Sequence, residues 1–133
     1  MSKFTEAELA YMKTQRIGRL ATVNQRGEPQ NKPVGFRYNP ELDTIDIGGP
    51  ANGKTQKFRN IARNGLASFV VDDMTAQGVG GGIEIRAYAE VLPDGGETVS
   101  PGFSPELIRL TPKRIITWDL SDRLPRSARN VEQ

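Results

Sequence analysis

The sequence reads as a mainly β protein, a closed or partly open antiparallel barrel with few helices. Six or so short segments alternate apolar and polar residues, or run almost wholly apolar, and each is bounded by turn residues. Only two stretches carry helical spacing. The chain of 133 residues is one domain in size, able to bury about two thirds of its unfolded surface in one core. Many short strands with few helices fit a barrel better than a sheet layered with helices.

The elements follow in order. Thr5 and Glu8 make a capping-box pair, and Leu9, Tyr11 and Met12 fit one helix of about ten residues. Arg19 to Asn24 (RLATVN) is a strand, turned by Gln25-Arg26-Gly27-Glu28. Gln30 to Tyr38 (QNKPVGFRY) is a second strand, in which Pro33 and Gly35 predict an edge or a bulge. Asn39 to Asp43 turns it into Thr44 to Gly48 (TIDIG), completing a hairpin. Gly48 to Gly53 is a flexible loop leading into a helix over Lys54 to Arg63, which Gly65 is placed to end. Leu66 to Val71 (LASFVV) is a nearly all-apolar strand stopped by Asp72-Asp73.

After a glycine loop, Ile83 to Leu92 is the longest strand. It sets Ile83, Ile85, Ala87, Ala89 and Val91 on one face and Glu84, Arg86, Tyr88 and Glu90 on the other, where the charges can pair with one another. Arg109-Leu110 and Arg114 to Leu120 supply one or two closing strands. Trp118 in the latter suits a core, an interface or a ligand platform. The ordered core spans about 5–120, and 121–133 is a C-terminal tail.

Composition excludes much chemistry. The chain has no His and no Cys, so it has no thiolate nucleophile, zinc ribbon, histidine metal site or histidine general base. Reaction chemistry falls to carboxylates, Tyr, Lys, Arg, backbone dipoles or a bound cofactor, and no metal site is expected. No apolar run approaches the ~18 residues of a membrane span, and MSKFTEAELAYMK lacks the apolar stretch of a signal peptide, so a cytoplasmic protein without membrane attachment is expected. Residues 109–133 hold six basic and three acidic groups. That excess is too mixed for nucleic acid and suits a solvated tail or a clamp for one anionic ligand.

Three features bear on a site. Gly48 to Thr55 (GGPANGKT) satisfies the GxxxxGK[ST] pattern. A nucleotide P-loop needs a parallel βαβ setting, which this chain lacks the helices to build. The other readings are a different phosphate loop, in which helix-start N–H groups, Thr55 and Lys57 face the anion, and a solvated loop. Gly78 to Gly82 (GVGGG) has no helix after it, so a mobile or substrate-facing loop is expected rather than a dinucleotide turn. Lys32 and Arg37 are five residues apart. They fall on opposite strand faces unless the Pro33–Gly35 irregularity shifts the phase, and ordinary surface charge is their alternative reading.

The series RIGRLATVNQRGEPQNKPVGFRYNPELDTIDIGG, TQKFRNIARNGLASFVVDD, GIEIRAYAEVL and RIITWDL resembles the pyridoxamine 5′-phosphate oxidase-like flavin and deazaflavin proteins over roughly 5–120, and within them the branch of coenzyme F420-dependent oxidoreductases. The resemblance implies a split β-barrel and a homodimer with two cofactor sites at its interface. It implies transfer of a hydride from reduced deazaflavin to a conjugated small-molecule substrate. Lys32 and Arg37 match the family's basic pair, Thr55, Gln56 and Lys57 its phosphate segment, and Pro33, Val34 and Gly35 the backbone beside the ring. Asn60 and Arg63 resemble the helix continuation.

Two departures stand out. Gln77 to Gly82 is a shortened form of the stretch before GIEIR, and Gln56 replaces a base, which weakens one phosphate contact and disfavours FMN. FMN remains the alternative cofactor, and the alternative functions are a non-catalytic binding protein or an FMN-dependent pyridoxamine phosphate oxidase. No catalytic side chain is assigned; water, Tyr88 and Arg86 are the options for supplying or steering a proton.

Overall fold

In the computed structural model, which describes residues 1–120 and 126–132, two α-helices and seven strands succeed one another. They are α1 (Glu6–Lys13), β1 (Ile17–Val23), β2 (Pro29–Asn39), β3 (Thr44–Gly48), α2 (Gln56–Asn64), β4 (Leu66–Met74), β5 (Gly80–Leu92), β6 (Leu107–Trp118) and β7 (Ser127–Asn130). All pairings are antiparallel, in the order β3-β2-β1-β4-β5-β6-β7, and a further β3–β6 pairing closes six strands into a barrel. The predicted mainly β barrel is therefore what forms, and with no parallel βαβ unit the GGPANGKT loop is not a nucleotide P-loop.

Closure depends on the length of β6. One edge pairs with β5 from Leu107 to Trp118, while the other is divided between β3 (Ile108–Leu110) and β7 (Arg114–Thr117). Arg114 faces Arg86 but Pro112 faces Ala87, so Lys113 is the extra residue of a bulge. Its carbonyl accepts the Val131 N–H at 2.8 Å, which anchors the end of the chain.

The barrel interior is filled by alternate residues of every strand. Leu20, Ile45, Ile47, Phe69, Ile83, Ile85, Ile108, Leu110 and Ile115 are all essentially inaccessible. Gly18 leaves the space that the Phe69 ring occupies. Helix α1 covers one flank, begun by the expected capping box: the Glu8 N–H donates to Thr5 Oγ1 at 3.1 Å and the Thr5 N–H to Glu8 Oε1 at 2.8 Å.

Several elements depart from the sequence-based expectation. Helix α2 begins two residues later, because a 3₁₀ turn (Asn52–Lys54) precedes it and Thr55 is its N-cap. Strand β4 is not stopped by Asp72-Asp73: Asp72 accepts from Arg19 at 2.8 Å and Asp73 from the Tyr11 hydroxyl at 2.6 Å, so both acids are satisfied in place. Gly80, Gly81 and Gly82 belong to β5 instead of a loop, leaving only the turn around Gly78. The two closing segments are one strand, β6. Residues 127–130 are a strand whose Arg129 grips buried Glu8 at 2.6 and 2.9 Å and also donates to the Lys3 carbonyl.

Candidate functional site

Strand β2 sets up the site by having two different neighbours. Its register with β1 runs without a bulge from Pro29↔Val23 to Gly35↔Ile17, whereas β3 joins it only from Gly35 onward. Among the described residues, 29–34 therefore pair on one side only, the edge position that Pro33 tolerates because it has no N–H to donate. Beside this stretch lies the start of α2. Between them is a cavity of about 690 Å³, walled by Thr22, Gln30, Lys32 and Pro33 from the barrel and Thr55, Gln56 and Lys57 from the helix start.

The walls are held by a polar network. Asn60, fully enclosed, accepts from Gln56 Nε2 at 2.8 Å and donates to Thr22 Oγ1 at 3.0 Å and Gln30 Oε1 at 2.9 Å. The Thr55 hydroxyl donates to the Asn52 carbonyl at 2.7 Å while accepting the Phe58 N–H at 3.4 Å. Thr55 is thus primarily a helix cap. Gln56 is engaged at both ends, since Arg59 donates to its Oε1 at 2.8 Å.

Electrostatically the cavity favours an anion. Burial, and then the nearby charge of Lys32, hold the Lys57 ammonium below its ordinary value of 10.5. Two ammonium groups thus share one field, and no lining residue is acidic. The positive end of α2 points the same way. A second cavity of about 520 Å³ shares Gln30 and Gln56 as walls and adds Arg26.

The sequence-predicted residues divide among three places. Lys32, Pro33, Thr55, Gln56 and Lys57 line the one cavity. Val34 is buried in the barrel, and Gly35 lies against the Phe103 ring on the other face. Arg37 lines a separate cleft with Lys13. With no bulge in β2, Lys32 and Arg37 keep opposite faces, and they also lie in different stretches of the strand: Lys32 where β2 pairs with β1 alone, beside α2, and Arg37 where it pairs with β3, beside α1. Thr22 and Gln30 were not singled out from sequence, although the alternation Leu20–Thr22 marks an inward position. Asn60 was, but its work as the floor bracket was not legible.

The proton options are elsewhere. Tyr88 and Arg86 stand on the outer face of β5, where Arg86 donates to Glu84 at 2.8 Å, as the strand pattern foresaw, and the Tyr88 hydroxyl to Glu132 at 2.6 Å. That bond to a carboxylate raises the phenol above its usual value of 10. Trp118 is half-buried and packs over Gly82, which has no side chain to obstruct it.

Comparison with known proteins agrees with this architecture. Residues 4–119 match the family described as pyridoxamine 5′-phosphate oxidase. The chain is 42% identical over 123 residues to the 5a,11a-dehydrotetracycline/5a,11a-dehydrooxytetracycline reductase of Streptomyces rimosus, covering 91% of this chain and 87% of that protein. In fold it is similar to a heme binding protein from Mycobacterium smegmatis (TM-score 0.72, 16% identity, 98% of this chain and 60% of that one). It is also similar to the General Stress Protein 26 from Bacillus anthracis (TM-score 0.70, 16% identity, 95% and 97%). Among the described residues no helix is long and apolar enough to cross a membrane. From the profile match over nearly the whole barrel and the extensive identity to a reductase, the chain belongs to the pyridoxamine 5′-phosphate oxidase-like family of oxidoreductases.

Proposed function

We propose that this protein is a cytoplasmic reductase that holds coenzyme F420 in the Lys32–Lys57 cavity and delivers a hydride to a conjugated small molecule. The observation that carries the proposal is the juxtaposition of two ammonium groups and a helix N-terminus around a cavity with no acidic wall. This donor set fits a phosphate: Lys32 and Lys57 supply charge-assisted bonds of about 1.5–3 kcal/mol each, and the first N–H groups of α2 add their dipole. When bound, the reduced deazaflavin supplies the hydride. The protein's own residues grip the anionic tail, set Pro33 and the one-sided stretch of β2 along the cavity, and hold Thr22, Gln30 and Gln56 in position through Asn60.

Two further observations support the finer assignment. The adjoining cavity with Arg26 extends the anion site past the phosphate pocket, room for a longer acidic tail than FMN carries. The Streptomyces relative is named for reducing a conjugated polycyclic substrate, which supports an acceptor of that kind. The active unit in this proposal is a homodimer, supported by an exposed apolar stripe beside the cavity (Val23, Leu66, Tyr88).

Fluorescence titration of the purified protein with coenzyme F420 and with FMN tests the proposal. Binding of the deazaflavin, weakened at least about tenfold by Lys57→Ala, followed by oxidation of the reduced form with a dehydrotetracycline, is expected. Tight FMN binding without a response to the deazaflavin would overturn it.

A further inference from the structure

We propose that the cleft between α1 and β2 is a second binding site, which takes a planar aromatic monoanion such as an aryl carboxylate or a polycyclic enolate. The cleft encloses about 560 Å³, a volume suited to a drug-sized ligand. Its walls are apolar and aromatic, formed by Leu9, Met12, Phe36 and Tyr38, and its two charged residues, Lys13 and Arg37, are both cations.

The aromatic wall is fixed before any ligand arrives. Phe36 meets Phe69 edge-on at 5.2 Å, and Tyr38 meets Phe4 edge-on at 5.7 Å. The Tyr38 hydroxyl donates at 2.7 Å to Asp43 in the β2–β3 turn, which also accepts from the Ser2 hydroxyl at 2.6 Å and the Lys3 N–H at 2.7 Å, so the N-terminal segment is tied to the same carboxylate. A preformed wall of this kind spares a ligand the cost of ordering it.

Among the described residues the two cations have no competing acidic partner. Arg37 lies opposite Asp46 across the β2–β3 ladder. Asp46 is already saturated: it accepts from Arg109 at 3.0 and 3.2 Å, from Asn39 at 3.0 Å and from Thr44 at 3.1 Å. Among the described residues, neither Arg37 nor Lys13 forms an ion pair. Arg37, partly buried where it lines this cleft, carries the planar fork that a carboxylate, or the paired oxygens of a polycyclic enolate, matches with two bonds. What separates this cleft from the Lys32–Lys57 cavity is its wall: the two cations are set among Leu9, Met12, Phe36 and Tyr38, which suits a ligand that carries its negative charge on an aromatic frame.

This site lies three residues along β2 from Pro33, roughly 10 Å at strand spacing. That the anion held here is the hydride acceptor rests on the reductase proposal; that the cleft binds aromatic monoanions does not.

Calorimetric titration with 1-hydroxy-2-naphthoate and its neutral counterpart 1-hydroxy-2-naphthamide separates the possibilities. The naphthoate is expected to bind, and Arg37→Gln and Lys13→Gln each to weaken it, by about tenfold for Arg37→Gln. The amide should bind weakly and indifferently to both variants. Lys57→Gln should leave naphthoate affinity unchanged while reducing affinity for the deazaflavin cofactor. No naphthoate binding, insensitivity to both cleft variants, or equal loss in Lys57→Gln would each overturn the site. Loss of the cofactor response with naphthoate binding still dependent on Arg37 would overturn the reductase proposal and leave this site standing.

Discussion

Asn60 shows how a single enclosed side chain holds a binding wall. Its amide joins the first turn of α2 to β1 and β2 through three hydrogen bonds of 2.8–3.0 Å. Asn60→Leu keeps the volume but strands Thr22 and Gln56, so it should cost about 2–4 kcal/mol. The midpoint of urea unfolding measures this, and a loss under about 0.5 kcal/mol would show that the network does not hold the wall. Lys57 gives a prediction in pH. Its folded-state value lies below the ordinary 10.5, through burial first and Lys32 second. In the interval between the two values the unfolded chain binds the extra proton, so Lys57 makes the free protein more stable as pH rises through that interval. Anion affinity has the opposite sign, since the charge that attracts the anion is lost over the same interval. Phosphate affinity should therefore fall on approaching the ordinary lysine range, and Lys57→Arg, whose guanidinium does not titrate there, should flatten the profile. A profile unaltered by Lys57→Arg would assign the effect to another group.

At the scale of elements, the glycine run is the most instructive. Gly80, Gly81 and Gly82 read as a loop because glycine is a turn former, yet they extend β5 against Met74, Asp73 and Asp72. The reason is close approach: a Cβ at Gly81 would collide with the Asp119 carbonyl, and one at Gly82 would lie 2.6 Å from the Val71 carbonyl. Gly80 has nothing nearer than 3.9 Å. Gly80→Ala should thus be nearly neutral, whereas Gly81→Ala should cost about 1–3 kcal/mol or more by overpacking, and thermal melts of the two variants decide. Equal melting temperatures would restore the loop reading. The same logic explains which elements were legible. Thr5 with Glu8, Gly65 and the Ile83–Val91 alternation announce themselves through local chemistry. The continuation of β4 through two aspartates does not, because it depends on Arg19 and Tyr11, which are distant in sequence. β7 was equally hidden, since its four residues are held by a bulge carbonyl and by the grip of Arg129 on Glu8.

For the whole molecule, the barrel was readable from periodicity alone, and the helix start that carries Thr55 and Lys57 to one cavity from the glycine-rich loop before it. The division of Lys32 and Arg37 between two cavities could not be read from sequence, because it depends on where β3 joins β2 and on where α1 and α2 pack along it. The outer face of β1, β4 and β5 carries the remaining consequence. Leu66 sits directly opposite Tyr88, and the register that sets Ala21 opposite Ser68 brings Val23 alongside it. These three are 49%, 47% and 41% exposed, and Lys113 lies over the Tyr88 ring at 4.7 Å, so the face offers an apolar row with a basic margin on which a second copy could dock. Thr22 borders both this face and the Lys32–Lys57 cavity, so a second copy docked on the row would stand at the cavity mouth. Leu66→Asp removes no interior contact, since the side chain faces outward. It should leave the fold intact, convert the sedimenting species from dimer to monomer, and weaken cofactor binding in parallel. A variant that remains dimeric with undiminished affinity would place the interface on another face, and a monomer that binds the cofactor fully would show that one chain completes the site.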